Sequence, residues 1–274
     1  MKKKSSKPNS LTGELKYWDD YYQAFLKLLP KVSDHHDQRD IFCDACRIFC
    51  LSLMGAVTIN CKEKDEIEKE YQRYVTKYGN EGIHKISILL SYVVEALELK
   101  RQDFLGHIYE SLNATNTRNG QFLTPDSVAR MMALITFQGE PPKHGKIVKF
   151  NDCSCGAGAL LIEAAEAFIS QGGRQGDLIL FGEDIDPTAC YITYTQFSLL
   201  GYPAVVTHQD TLAMKVYEGP WYTFGYFAHG VPMRLMREEN KNIEKDSLET
   251  KERTQDTQIR EIDMRKLVQE EFNI

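Results

Sequence analysis

The chain has 274 residues, of which 42% are hydrophobic and 26% charged, with a formal net charge of −6. That balance excludes wholesale disorder and an overtly basic nucleic-acid-binding protein. The basic start, MKKKSSK, leads into no apolar run, so no signal peptide is expected. The greasiest stretch, residues 86–97, is broken by Ser87, Ser91 and Glu95 and is too short to span a bilayer. Seven cysteines without an export signal point to a reducing, cytoplasmic setting rather than a disulfide framework.

Residues 1–14 read as a flexible basic and polar tail. Residues 15–101 carry helical periodicity and no strand-like alternation, which predicts an all-helical N-terminal domain, a small bundle. Its first helix ends at Pro30, and a polar break follows with Ser33 or Asp34 as the next cap. Residues 41–57, IFCDACRIFCLSLMGAV, are apolar on most sides and fit the buried central helix. Two further helices are expected over 64–78 and 83–100, with Gly79 and Gly82 between them. Cys43, Cys46 and Cys50 share one face of the central helix, with Cys61 beyond. In such an apolar run they fit small packed hydrophobes better than a metal site.

The pattern changes near residue 102. A short helix around DFLGHIYESL leads into a polar loop, NATNTRNGQFLTP, and then a helix over 126–137. Strands are expected at KIVKFNDC, DLILFGEDI and AVVTHQD, with helices ALLIEAAEAFISQ and TACYITYTQFSLL between them. Strands of this length alternating with helices indicate βαβ units on a parallel sheet, so residues 102–232 read as a Rossmann-like α/β core. Residues 233–274 contain no Gly or Pro, and 20 of the 42 are charged, which predicts a charged helical tail. Ile259, Ile262, Leu267 and Val268 give it a weak apolar stripe, leaving open a solvated helix or one that docks a partner.

The strongest local pattern is Asp152-Cys153-Ser154-Cys155-Gly156-Ala157-Gly158 between a strand and a helix. Two glycines before a helix N-terminus let backbone approach a ligand closely. Asp184 ends the second strand, where nucleotide-binding sheets bind ribose hydroxyls, and Asp210 ends the third. Three acids at successive strand ends around a glycine turn point to an adenosine-type ligand.

The ordered series DFLGHIYE, GQFLTP, DCSCGAGALL, GEDIDPTA and QDTL resembles the adenine-N6 DNA methyltransferases, and within them the modification subunit of type I restriction–modification systems. The resemblance covers about residues 100–215. It implies a Rossmann-like S-adenosylmethionine-dependent methyltransferase core behind the helical domain. It implies that Phe122, Thr124 and Pro125 hold the methionine end of S-adenosylmethionine and that Asp152, Gly156 and Gly158 cradle its centre. Asp184 is then implied to bind the ribose, Ile185 to lie against the adenine, and Asp210 to face the adenine amino group.

Cys153 stands where the family has Pro, and Ala157 where it has Ser. The family's Asn-Pro-Pro-aromatic tetrapeptide, which holds a flipped adenine, has no counterpart in this sequence. Glu218-Gly219-Pro220-Trp221, after the strand-like MKVY, is the nearest segment, making Glu218, Pro220 and Trp221 the candidate catalytic residues. A degenerate motif, catalysis through Glu218 and an unrelated Gly-Pro turn all remain open. Residues 103–232 hold 7 basic and 13 acidic side chains, so no broad phosphate-binding surface is expected. The resemblance implies an S-adenosylmethionine-binding protein with methyl transfer to adenine in DNA. The alternative is a catalytically inactive partner or regulator of a restriction–modification complex. DNA is the candidate substrate. A second methyltransferase, a specificity subunit or a homodimer is the candidate protein partner, and no membrane or metal is expected.

Overall fold

The computed structural model describes residues 15–113, 124–136, 144–241 and 243. The chain divides into two units, Met1–His229 and Gly230–Ile274. The first unit begins with helices α1 (Trp18–Leu28), α2 (Gln38–Val57) and α3 (Cys61–Leu99), α1 passing into a short 3-10 turn at Leu29–Lys31. Asp37, rather than Ser33 or Asp34, caps α2: its carboxylate accepts the Arg39 amide at 2.8 Å. The two helices expected over 64–100 form one element with a single break at Gly79, where φ is 65° and ψ 174°. Gly82 is helical instead. A Cβ there would lie 2.8 Å from that of Tyr78, so its bareness serves packing and not a turn.

Helices α4 (Phe104–Asn113) and α5 (Asp126–Thr136) precede the sheet. Strand β1 (Val148–Asp152) leads through α6 (Ala159–Ser170) to β2 (Leu178–Asp184), and β2 through α7 (Pro187–Leu199) to β3 (Ala204–Asp210). These three strands are parallel, with Asp152 opposite Gly182 and Asp184 opposite His208. Both crossover helices lie on one face. A Cβ on Gly182 would touch Leu161 of α6 and Thr193 of α7 at 3.5 and 3.3 Å. Strand β4 (Lys215–Tyr222) departs from the expected all-parallel sheet by folding back antiparallel on β3. The connection from Asp210 to Lys215 is too short for a crossover, and a short connection permits only an antiparallel neighbour. A short helix, α8 (Phe224–Ala228), closes the unit.

Helices α2 and α4 pack on α7, and α5 packs on α6. Phe25, Phe42, Phe49 and Phe104 from the helices join Leu180, Phe197 and Val206 in one continuous buried cluster. The helical and strand-bearing segments therefore share a single core. Among the described residues, no helix is long and apolar enough to cross a membrane.

In the second unit, residues 231–241 are helical. The tail at 1–14, Phe122 and the stripe at Ile259, Ile262, Leu267 and Val268 lie outside the described residues.

Candidate functional site

Asp152, Asp184 and Asp210 are the last residues of three neighbouring parallel strands, so the register brings all three to one edge of the sheet. The turn from β1 to α6 crosses the same edge. Gly156 and Gly158 there adopt φ of 54° and 88°, the left-handed region that side chains avoid. Gly158 is also forced by packing, because a Cβ would sit 3.0 Å from the Phe197 ring and 3.1 Å from Thr193 Oγ1.

The three carboxylates differ in what they are free to do. Asp184 is 7% exposed, and both of its oxygens already accept backbone amides: Oδ2 from Gly156 and Oδ1 from Asp186, each at 2.8 Å. It ties the glycine turn to the end of β2, and each oxygen keeps one lone pair for a ligand. Asp152 is half-buried, and its Oδ1 accepts the Ser154 amide at 3.1 Å. Burial pushes its carboxyl above the usual range, and the nearby Asp184 charge adds to the shift. Asp210 accepts the Ala213 amide at 2.9 Å through Oδ1. Ile185, 56% exposed beside Asp184, is an apolar platform at the same edge. Asp186 serves as a helix cap, accepting the Thr188 amide at 2.9 Å and the Tyr109 hydroxyl at 2.6 Å.

Thr124 and Pro125 are exposed and lead into α5, where the Pro125 carbonyl accepts the Val128 and Ala129 amides. His107 of α4 meets Asp126 at 3.0 Å, which fixes the start of α5 beside α4. That carboxylate raises the His107 pKa above its ordinary value.

A polar joint that sequence reasoning missed lies beneath the turn. Gln196 of α7 is fully buried and uses every polar position of its amide. Its Oε1 accepts the Phe104 and Leu105 amides at 2.7 and 3.0 Å, and its Nε2 donates to Asp103 Oδ1 at 2.9 Å and to the Ala157 carbonyl at 3.0 Å. One side chain thus joins the N-terminus of α4 to the glycine turn. Asp103 also accepts the Gly106 amide at 2.7 Å, and desolvation raises its carboxyl to about 6. The only signal for this in the sequence is the Asp103-x-x-Gly106 spacing of a helix cap. A Cβ on Gly106 would overlap the Asp103 carboxylate.

Glu218, Pro220 and Trp221 do not end a parallel strand beside the acids; they lie in β4, beyond β3, with Glu218 level with Asp184 and Trp221 level with Asp152. The strand expected to end before Glu218 runs through it, and the segment lies inside β4, with Glu218 opposite His208. The Glu218 carboxylate lies 3.1 Å from Arg47 of α2. Arg47 also makes a two-point contact with Glu70 at 2.6 and 2.8 Å and stacks 4.5 Å from the Tyr191 ring centroid. Trp221 is 7% exposed and packs on Tyr191 and Tyr194. The sequence signal for this cluster is Arg47 itself, a cation inside the apolar run 41–57. Of the cysteines, Cys46 and Cys50 are buried, while Cys61 and Cys153 are exposed.

The family described as N-6 DNA methylase matches residues 100–262. Among solved structures, the chain is similar to the type I restriction–modification system methyltransferase subunit from Streptococcus thermophilus, at 17% identity and a TM-score of 0.41. That match covers 72% of this chain and 59% of that one. A putative class I S-adenosylmethionine-dependent methyltransferase from Listeria monocytogenes matches at 16% identity and a TM-score of 0.42, covering 74% of this chain and 57% of that one. A modification subunit of a putative type I restriction enzyme from Vibrio vulnificus matches at 18% identity and a TM-score of 0.37, covering 48% and 27%. This chain thus spans less than two thirds of each of these three proteins. No curated protein matches.

Proposed function

The chain belongs to the N-6 DNA methylase family, and from that premise we propose that it binds S-adenosylmethionine at the carboxyl edge of β1–β3. The observation that carries this reading is the meeting of Asp152, Asp184 and Asp210 around the Gly156–Gly158 turn. The residues fit the group. Asp184 and Asp210 accept from ribose and exocyclic amino donors, Ile185 offers an apolar face to adenine, and the turn presents backbone near the centre. Phe122, Thr124 and Pro125 are assigned to the methionine end. When bound, the cofactor supplies a methyl group on a sulfonium, ready for in-line transfer. This chain's residues orient the donor and exclude water from it.

We further propose that the isolated chain does not by itself place an adenine against that methyl. The Glu218–Trp221 segment is ion-paired to Arg47 within an edge strand, which favours the reading of a cofactor-binding partner in a restriction–modification complex. Methyl transfer to adenine in DNA then depends on groups from a partner chain.

Calorimetric titration of S-adenosylmethionine tests the first proposal. Asp210→Asn and Ile185→Ala are the informative variants, since Asp184 also holds the turn together. Each should weaken binding about tenfold, or ~1.4 kcal/mol. Absence of heat with the wild-type chain at millimolar cofactor would overturn the proposal. Transfer of labelled methyl to DNA by the isolated chain would overturn the second.

A further inference from the structure

The Glu218–Trp221 segment lines a second concavity, to which Asp152, Asp184 and Asp210 do not contribute. It is a groove of about 800 Å³ between the C-terminal half of α2, the N-terminal half of α3 and β4. Its floor is apolar and aromatic, with Met54, Val57, Ile67, Trp221, Tyr222 and Phe227 among its residues. Several are exposed although they are large: Ile59 at its end is 94% exposed and Phe227 46%. Contiguous apolar surface of this kind marks interaction sites in proteins that stay soluble.

Its charge is one-sided. Glu63, Glu66, Glu70 and Glu218 line the groove against a single cation, Arg47. Glu70 and Glu218 already share that arginine. Glu63 and Glu66 are exposed and, among the described residues, have no ion-pair partner; Glu63 accepts only the Asn60 side-chain amide, at 3.1 Å. The rim therefore repels nucleic-acid phosphates and small anions, and it complements lysine and arginine. An apolar floor with an acidic rim is the counterpart of a basic amphipathic helix, whose apolar stripe enters the groove while its cations meet the carboxylates.

We propose that this groove docks a basic amphipathic helix of a partner protein. The Glu218–Trp221 segment, the nearest in the sequence to the family's catalytic tetrapeptide, then works as part of an interaction surface. The proposal does not rest on cofactor binding, and its test is separate from that reading.

The probe is a fluorescein-labelled 18-residue helix of leucine and lysine in amphipathic register, followed by anisotropy against the full chain. A leucine–glutamate helix of the same register is the control. Glu63→Lys/Glu66→Lys reverses two exposed rim charges without touching the core. Asp34→Lys/Glu98→Lys makes the same net change on exposed positions off the groove. The lysine helix should bind in a salt-sensitive manner, weakened at least about tenfold by the rim pair and less than about twofold by the distal pair. Calorimetry with S-adenosylmethionine should be the same for the rim pair and the wild type. Equal losses in both pairs mean a general charge effect and overturn the proposal, as does equal binding of the glutamate helix or no binding at all. A wild-type dimer in light scattering that the rim pair dissociates assigns the groove to a second copy, and overturns it too.

Discussion

Replacing Gln196 by Leu tests whether the joint under the glycine turn is as structural as its geometry requires. Leucine nearly matches glutamine in volume, so the variant opens little cavity and isolates the polar loss. It strands two amide donors, of Phe104 and Leu105, at the start of α4, where no intrahelical acceptor exists. It also strands the Ala157 carbonyl and removes one of the two donors to Asp103. Each buried donor left without a partner costs ~1–3 kcal/mol, so two donors and a carbonyl that retains a second lone pair come to ~3–4 kcal/mol. Against a typical domain stability of ~5–15 kcal/mol, that is a large fraction. Urea denaturation followed by circular dichroism reads it as a fall in midpoint at constant slope. A cost below ~1 kcal/mol would refute the reasoning, since it would mean that water or a backbone shift satisfies these groups at no penalty. Gln196→Glu should be worse near neutral pH, because it sets a second carboxylate against Asp103.

Gly158→Ala should cost ~2–3 kcal/mol in thermal or urea unfolding, since strain at φ 88° adds to contact with Phe197. Gly145→Ala, at φ 83° with nothing within 4 Å, should cost only the ~1–2 kcal/mol of backbone strain. Asp103 sets a pH dependence of known sign. Its folded pKa, raised to about 6 from 3.8, means that the folded state holds the proton more tightly than the unfolded state. Its contribution is therefore present below about pH 4 and lost as pH rises through 6. Subtracting the Asp103→Asn stability curve from the wild-type curve should show a fall of up to ~3 kcal/mol over that window, and a flat difference would contradict the burial argument. Arg47→Met should destabilise by only ~1–2 kcal/mol, because the Glu70 and Glu218 carboxylates that lose their shared cation are 30% and 40% exposed and rehydrate. Glu218→Gln should cost under ~1 kcal/mol in the same assay, since Glu70 still holds Arg47 at two points.

The α/β alternation was legible because each strand and helix of residues 146–210 carries its own period and is bounded by Gly, Pro or Asp. The strand-end placement of Asp152, Asp184 and Asp210 followed from the same local pattern. What could not be read depends on partners distant in sequence. Gln196 lies in a helix apolar on nearly every side, and nothing in its neighbourhood marks a polar residue bonded to positions 91 and 92 residues away. Arg47 likewise meets Glu218 only once α2 has packed against the sheet. The double glycine at 79 and 82 misled because both residues break helices in isolation, while only Gly79 is in a conformation that does so here. For Glu218-Gly219-Pro220-Trp221 a turn is one of the readings the sequence leaves open, because Gly and Pro usually end strands. On an edge strand Pro is tolerated, and β4 continues through it.

The direction of β4 decides how that segment lies relative to the three acids. Had the chain crossed over after Asp210, a parallel fourth strand would have delivered its last residues to the edge shared by the three acids. The four-residue connection instead begins β4 opposite the end of β3, with Lys215 opposite Asp210, and β4 then runs back along β3 on its far side from β1 and β2. Glu218 is thereby level with Asp184 but two strands aside, and Trp221 level with Asp152 but three strands aside; at about 4.8 Å per strand these are about 10 and 14 Å. A group that must accept a hydrogen bond from a base amine loses on the order of 100-fold for a displacement near 1 Å. Replacing Glu218 by Asn would therefore supply an amide acceptor without bringing it any nearer to the acids. Glu218→Asn should leave methyl transfer by the isolated chain at background in a labelled-methyl DNA assay. A gain in that assay would mean that β4 can detach and turn toward the acids, and the fixed-strand argument would fall.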